Sequence, residues 1–148
     1  MSSYRQHLYH IVTRTKDNRP TLNQNHSDQL YAYIAGIAKN KNNFIYKING
    51  IENHIHILTD IHPSLAPAIF VKDIKAYSSL WMKKSGLFPY FEGWAEGYAS
   101  FTCTYRDLDL IKEYITSKQE HHKKESFEDE YRRLIREAGI EIDDQFFP

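Results

Sequence analysis

The sequence has 148 residues, of which 41% are apolar and 26% are charged, a composition typical of one folded domain and not of a disordered chain. The formal net charge is zero, so any attraction for nucleic acid must come from a local basic patch. The single cysteine, Cys103, excludes a disulfide within the chain, and we expect it to be a buried small hydrophobe. We see no secretory segment and no apolar run long enough to span a bilayer, and therefore expect a cytoplasmic protein.

The first half of the chain predicts three strands and a helix. Ser27 is a suitable N-cap for the helix, and apolar residues follow it at helical spacing. Asn49–Gly50 is a strong signal for a turn between the second and third strands. The predicted strands cover residues 8–13, 44–48 and 53–60, and the predicted helix covers residues 28–40.

The second half predicts three helices and one strand. Gly86 is the expected end of the first of these helices. Ser126 and Asp129 have the spacing of a capping box and open the last one. The predicted helices cover residues 66–84, about 108–120 and about 127–138, and the predicted strand covers residues 98–105.

The order of elements is β-α-β-β-α-β with helices appended at the C-terminal end. This order predicts an α+β fold, namely a ferredoxin-like split βαβ with four antiparallel strands, in one domain covering residues 1–148. Two helices would cover one face of the sheet. We expect the other face to be free and to carry the functional site.

His54 and His56 lie at alternate positions of the third predicted strand and should share one face, with Ile55, Ile57 and Thr59 on the opposite face. Two imidazoles on a rigid strand can coordinate one divalent ion. A third protein group or a phosphate of the substrate would have to complete such a site. A pair of hydrogen-bonded histidines with no metal role is the alternative interpretation.

Tyr114 is a candidate nucleophile on the predicted helix at 108–120. A phenol attacks poorly at neutral pH because its pKa is about 10, but a metal ion that polarises a phosphate can compensate. The product would be a covalent phosphotyrosine link. By counting alone, the favoured interpretation is that Tyr114 is one of eleven tyrosines and simply packs on the core.

Basic residues near aromatic ones are candidate contacts to single-stranded DNA, which is bound through backbone charge and base stacking. Most exposed basic side chains are only a solvated surface, which is the alternative for each of them. The candidates are Arg14, Lys72, Lys75 and Lys118.

Several segments, in chain order, together resemble the single-tyrosine HUH transposases of small bacterial and archaeal insertion sequences, including the REP-associated tyrosine transposases. Their collinearity over nearly the whole chain is much more specific than a His-x-His motif alone. The segments are residues 9–12, 30–36, 49–58, 71–75, 96–102, 114–115, 121–124 and 126–131.

The resemblance implies that His54 and His56 ligate Mg²⁺ or Mn²⁺ and that Tyr114 attacks a DNA phosphate. It implies a 5′-phosphotyrosine intermediate and a released 3′-hydroxyl. It also implies recognition of DNA hairpins at the ends of the element. Members of the family act as homodimers, often with the tyrosine helix of one subunit completing the site of the other.

One position departs from the family pattern. Members usually carry a glutamine four residues after the tyrosine as a third metal ligand, whereas this sequence has Lys118 there and Gln119 one position later. A local shift in the helix could bring Gln119 to the metal, the metal could bind more weakly, or the copy could be inactive or altered. Our hypothesis is that Gln119 is the third ligand.

Other functions remain as alternatives. A domesticated relative that nicks palindromic repeats of the host chromosome would have the same residues. A non-catalytic single-strand binder on a ferredoxin-like sheet would need neither Tyr114 nor a metal. A nucleotide hydrolase of the histidine-triad type would need a third histidine where Leu58 stands, which argues against that class.

Overall fold

The computed structural model describes residues 3–118, 124–145 and 147. These residues contain four strands and four α-helices. Their order confirms the predicted α+β arrangement. The elements are β1 (Leu8–Arg14), α1 (Ser27–Asn40), β2 (Ile45–Ile51), β3 (His54–Asp60), α2 (Pro67–Ser85), β4 (Ala99–Cys103), α3 (Leu108–Thr116) and α4 (Phe127–Glu137).

The strands form one antiparallel sheet in the order β2-β3-β1-β4. The two strands that flank each crossover helix are not neighbours in the sheet, which is the pattern of a split βαβ. Strands β1 and β3 are therefore central, and each is hydrogen-bonded on both sides. Side chains on these two strands are held more rigidly than those on the edge strands, which suits a site that needs fixed geometry.

The predicted turn at Asn49–Gly50 is wrong. Strand β2 continues through both residues to Ile51, which pairs with His54, so the turn consists of Glu52 and Asn53. Gly50 is needed for a different reason. A Cβ atom at Gly50 would lie 2.2 Å from the backbone oxygen of His54, so the two strands approach more closely there than a side chain would allow.

The first face of the sheet carries the main core. Ile11, Ile55 and Ile57 project from the central strands and pack against apolar side chains of α1 and α2, which confirms the prediction for residues 55 and 57. The helix residues in this core lie at helical spacing, among them Leu30, Ile34 and Ala38 of α1 and Phe70, Val71 and Ile74 of α2.

The second face of the sheet is covered, contrary to the expectation that it would be free. Helix α3 packs Leu108 and Ile115 on Leu8 and Leu58, and helix α4 packs Phe127 and Tyr131 on Val12 and Ala99. The sheet exposes apolar positions on both faces, and each apolar face must be removed from water. The two appended helices thus enclose the strip of sheet between their two clusters.

The helix ends follow their sequence signals where the structure describes them. Gly86 ends α2 in the left-handed conformation with φ of 73°, and the Ser126 side chain accepts a hydrogen bond from the Asp129 backbone amide at the start of α4. Helix α3 ends at Thr116, and positions 119 and 120 of the predicted helix lie outside the described residues.

Among the helices described, none combines the length and apolarity needed to cross a membrane.

Candidate active site

His54 and His56 lie on the second face of the sheet, between the α3 and α4 clusters. Their Nε2 atoms point to one oxygen, Oε1 of Glu130, at 3.2 and 3.4 Å. The three ligand atoms lie within 4.8 Å of one another. Each of these residues is at most 1% exposed, so the group is enclosed by protein.

Glu130, which comes from α4, was missed by the sequence reasoning. A signal for it exists: Phe127, Glu130, Tyr131 and Leu134 follow the i, i+3, i+4, i+7 spacing of a buried helix stripe, and Glu130 is the acidic member of that stripe. A carboxylate on a buried stripe needs a partner of opposite charge or a metal. Nothing in the sequence placed this helix over the histidines.

The outward ring nitrogens of both histidines are also held. His54 Nδ1 lies 2.8 Å from Asn53 Oδ1, an amide oxygen that can only accept, so Nδ1 carries the proton. His56 Nδ1 lies 2.8 Å from Nε2 of His10, a residue of β1 that the sequence analysis also missed. Such outer contacts fix the tautomer and the orientation of metal-binding histidines.

The donor set fits a divalent cation. Burial lowers the pKa of His56 well below its ordinary value, even though Glu130 acts to raise it. Burial would raise the pKa of the Glu130 carboxyl, but the adjacent His54 and His56 rings and the Lys118 ammonium hold it well below its usual range. The Glu130 carboxylate therefore faces the Nε2 atoms of two imidazoles, and a cation at their meeting point would be ligated by all three side chains.

Tyr114 lies beside this group in the same chain. Its hydroxyl donates to Oε2 of Glu130 and accepts a hydrogen bond from Nη2 of Arg133 at 3.0 Å. Its ring is edge-on to the His56 ring, with centroids 5.8 Å apart. Burial and the neighbouring Glu130 carboxylate raise the pKa of the phenol above its ordinary value, while Arg133 acts to lower it. The candidate nucleophile is thus hydrogen-bonded to the carboxylate that faces both histidines.

Lys118 is buried, and its ammonium is paired with Oε2 of Glu130. Burial lowers its pKa, while Glu130 acts to raise it. A side chain that is 1% exposed cannot reach a DNA backbone in this arrangement, which argues against the predicted role of Lys118 as a DNA contact. Gln119, the predicted third ligand, lies outside the described residues. Among the described residues, Glu130 is the side chain placed to act as the third metal ligand beside His54 and His56.

The helix that carries Tyr114 is tied to the sheet through its C-terminal carbonyl groups. Asn49 of β2 donates from Nδ2 to the backbone oxygens of Ile115 and Thr116 at 3.0 and 3.2 Å. Carbonyl groups in the last turn of a helix are short of intrahelical donors, so the asparagine acts as a cap supplied by another element. The contact fixes the end of α3 next to Tyr114.

The three remaining basic candidates surround the loop at residues 94–98. Lys72 is exposed and lines a groove of about 490 Å³ with Trp94 and Tyr98. Lys75 lines the same groove, but its ammonium donates to the backbone oxygens of residues 95 and 97. Arg14 lines a second cavity to which the same loop contributes. Basic and aromatic groups therefore meet here, as single-strand binding requires.

Comparison with known proteins identifies the family. The family model described as "Transposase IS200 like" matches residues 3–118. A candidate transposase from Deinococcus radiodurans has a similar fold, with a TM-score of 0.62 and 22% identity over 80% of this chain and 98% of that one. A REP-associated tyrosine transposase bound to a REP hairpin matches with a TM-score of 0.57 and 14% identity over 79% of this chain and 72% of that one.

The comparison with curated proteins gives no match. The family model nevertheless covers more than half of the chain, including both histidines of β3 and the tyrosine of α3. The chain belongs to the family of IS200-like transposases.

Proposed function

We propose that this transposase cleaves and rejoins single-stranded DNA by forming a covalent bond between a DNA phosphate and Tyr114. The observation that carries the proposal is the position of the Tyr114 hydroxyl. It contacts one oxygen of Glu130, while the other oxygen of that carboxylate faces the Nε2 atoms of His54 and His56. Nucleophile and candidate metal ligands thus share one carboxylate.

The reaction is a transfer of one phosphate ester. The Tyr114 oxygen forms a bond to the phosphorus, and the bond from phosphorus to the 3′-oxygen of the upstream nucleotide breaks. The phenol, oriented by its hydrogen bond to Oε2 of Glu130, gives up its proton to solvent as the new bond forms, and the departing 3′-oxygen takes up a proton from solvent to become a hydroxyl. The downstream strand stays attached to Tyr114 through its 5′-phosphate. Attack by another 3′-hydroxyl reverses these bond changes and rejoins DNA.

His54, His56 and Glu130 would hold Mg²⁺ or Mn²⁺, which when bound polarises the scissile phosphate. The chain itself supplies the orientation. His10 and Asn53 fix the two imidazoles, and Asn49 fixes the end of the tyrosine helix.

The substrate we propose is single-stranded DNA with hairpins at the ends of an insertion sequence. The REP hairpin bound by a structural neighbour supports a hairpin as the recognised element. The groove beside Lys72, Trp94 and Tyr98 is our candidate for the DNA path. We further propose that residues 1–148 act as one domain and that the active form is a homodimer, which light scattering of the pure protein tests.

The decisive experiment is adduct formation with labelled single-stranded oligonucleotides from the ends of the element. Wild type, Tyr114→Phe and His54→Ala are incubated with Mn²⁺, with Mg²⁺ or with EDTA, and a denaturing gel detects protein linked to DNA. We expect an adduct that requires metal and is absent from both variants. Tyr105→Phe, which alters an exposed tyrosine just before α3, is the matched control and should keep the adduct.

Other outcomes point to other functions. Binding of hairpin DNA without any adduct would identify a non-catalytic binder. An adduct formed only on chromosomal palindromic repeats, and not on the ends of an element, would identify a domesticated nickase. An adduct that persists in EDTA would contradict the metal site.

A further inference from the structure

We propose that Arg133 is a further catalytic residue of this site, which holds the attacking oxygen of Tyr114 and binds the scissile phosphate as it arrives. The proposal rests on the proposed function, because it takes Tyr114 as the nucleophile. Arg133 belongs to α4, which lies beyond the part of the chain that the family model matches.

Arg133 contacts the reacting atom directly. Nη2 of Arg133 donates to the Tyr114 hydroxyl oxygen at 3.0 Å, and the guanidinium carbon lies 5.8 Å from the centroid of the tyrosine ring. Because the same hydroxyl donates to Glu130, it has a hydrogen-bond donor on one side and an acceptor on the other. This pair of contacts fixes the direction of the oxygen lone pair that attacks the phosphorus.

The guanidinium of Arg133 is held in place by Glu125. Glu125 accepts from Nε and Nη2 of Arg133, each at 3.0 Å, which is the bidentate geometry of a strong arginine–carboxylate pair. This pair keeps the Nη2 edge against Tyr114. A lysine could carry the same charge but could not satisfy Glu125 and Tyr114 with one planar group.

The remaining nitrogen of the Arg133 guanidinium, Nη1, is available to a substrate. Nη1 pairs with Glu137 at 3.3 Å, and the Glu137 side chain is 61% exposed. An exposed pair within one helix is weak, so a phosphate oxygen can displace it. The Arg133 side chain is 34% exposed, whereas His54, His56 and Glu130 are almost fully enclosed. A phosphate that approaches Tyr114 from solvent therefore meets Arg133 at the rim of the site.

The chemistry of the step favours a cation at this position. Negative charge develops on the phosphate oxygens and on the attacking oxygen in the transition state, and fixed donors aimed at that charge accelerate such reactions. Lys118 lies on the buried side and is already paired with Glu130. Arg133 is the cation that lies on the solvent side of the tyrosine oxygen among the described residues.

The test compares Arg133→Gln and Arg133→Lys with Arg132→Gln in the single-turnover rate of adduct formation at saturating DNA and Mn²⁺. Arg132 is the matched control because it is the next residue of the same helix and pairs with Glu128 and Asp144 instead. We expect Arg133→Gln to slow the adduct step by about 10²-fold, the usual loss for one oxyanion donor. Arg133→Lys should recover part of the rate, and Arg132→Gln should match wild type.

Two further readouts separate catalysis from structure. Mn²⁺ affinity by calorimetry should be unchanged in Arg133→Gln, since the metal ligands are untouched. The melting temperature is expected to fall with loss of the Glu125 pair but should stay well above the assay temperature. An unchanged adduct rate in Arg133→Gln would overturn the proposal, as would a slow rate accompanied by loss of Mn²⁺ binding. Absence of any adduct from wild type would mean that the proposed function itself is wrong, and the role of Arg133 would fall with it.

Discussion

The Nε2 atom of His10 lies 2.8 Å from the Nδ1 atom of His56, across the pairing of β1 with β3. We predict that His10→Phe, which keeps a ring but removes the nitrogen, weakens Mn²⁺ binding by about 10- to 100-fold, the usual effect of losing an outer contact to a metal ligand. Titration calorimetry measures the affinity. His62→Ala, in the loop after β3, should bind Mn²⁺ like wild type, and equal affinity in both variants would contradict the prediction.

The buried pair of Lys118 and Glu130 should be strongly coupled, because the side chains are 1% and 2% exposed. We predict that Lys118→Met and Glu130→Gln each lower the free energy of unfolding by about 3–5 kcal/mol in EDTA, since each leaves a buried group without its partner. The double variant should be more stable than the sum of the single effects implies. Urea unfolding of the four proteins measures this, and additive losses would show that the pair is not coupled.

The position of Tyr114 beside His54 and His56 of its own chain predicts action in cis. Tyr114→Phe and His54→Ala, mixed and allowed to exchange subunits, should therefore form no adduct. If the tyrosine served the site of a partner subunit, the mixture would form an adduct on the His54→Ala chain, which a size tag identifies on the gel. Recovery of activity in the mixture would refute the cis arrangement.

The alkylation rate of the Cys103 thiol tests how far this side chain is buried in the folded protein. Burial raises the pKa of its thiol to about 11, so the reactive thiolate is scarce at neutral pH. We predict that iodoacetamide modifies the folded protein slowly at pH 8 and that the rate rises with each pH step up to the raised pKa. The protein unfolded in guanidinium should react much faster at pH 8. Equal rates in the two states would contradict the structure.

The groove beside residues 94–98 predicts which exposed lysine contributes to DNA binding. Lys72→Ala should weaken binding of single-stranded DNA and reduce the slope of log affinity against log salt by about 1, as expected for one lost phosphate contact. Fluorescence anisotropy at several salt concentrations measures both. Lys39→Ala, at an exposed position of α1, is the control and should leave the slope unchanged.

The fold could be predicted from the sequence because local patterns determined its elements. Alternation around Ile55 and Ile57, helical spacing in α1 and α2, and Gly86 after α2 each act over a few residues. The turn at Asn49–Gly50 was predicted wrongly because glycine has two uses. Its missing side chain serves here for the close approach of two strands and not for a turn.

The site could be predicted only in part. His54 and His56 share a face by the geometry of any strand, so their pairing follows from their spacing. Glu130 and His10 reach the site through tertiary packing, which no local pattern records. Helix α4 had to be placed over the sheet before its carboxylate could face the histidines.

The location of Glu130 on α4 has a consequence for how relatives are compared. A protein cut after residue 118 would retain both histidines and the tyrosine and would still contain the whole segment that the family model matches. It would lack Glu130, whose carboxylate contacts both histidines and the tyrosine, and Lys118 would lose its counterion. Two relatives with identical motifs can therefore differ in metal affinity and in reactivity through a helix that the shared motifs do not include, so their C-terminal segments must be aligned before activity is transferred from one to the other.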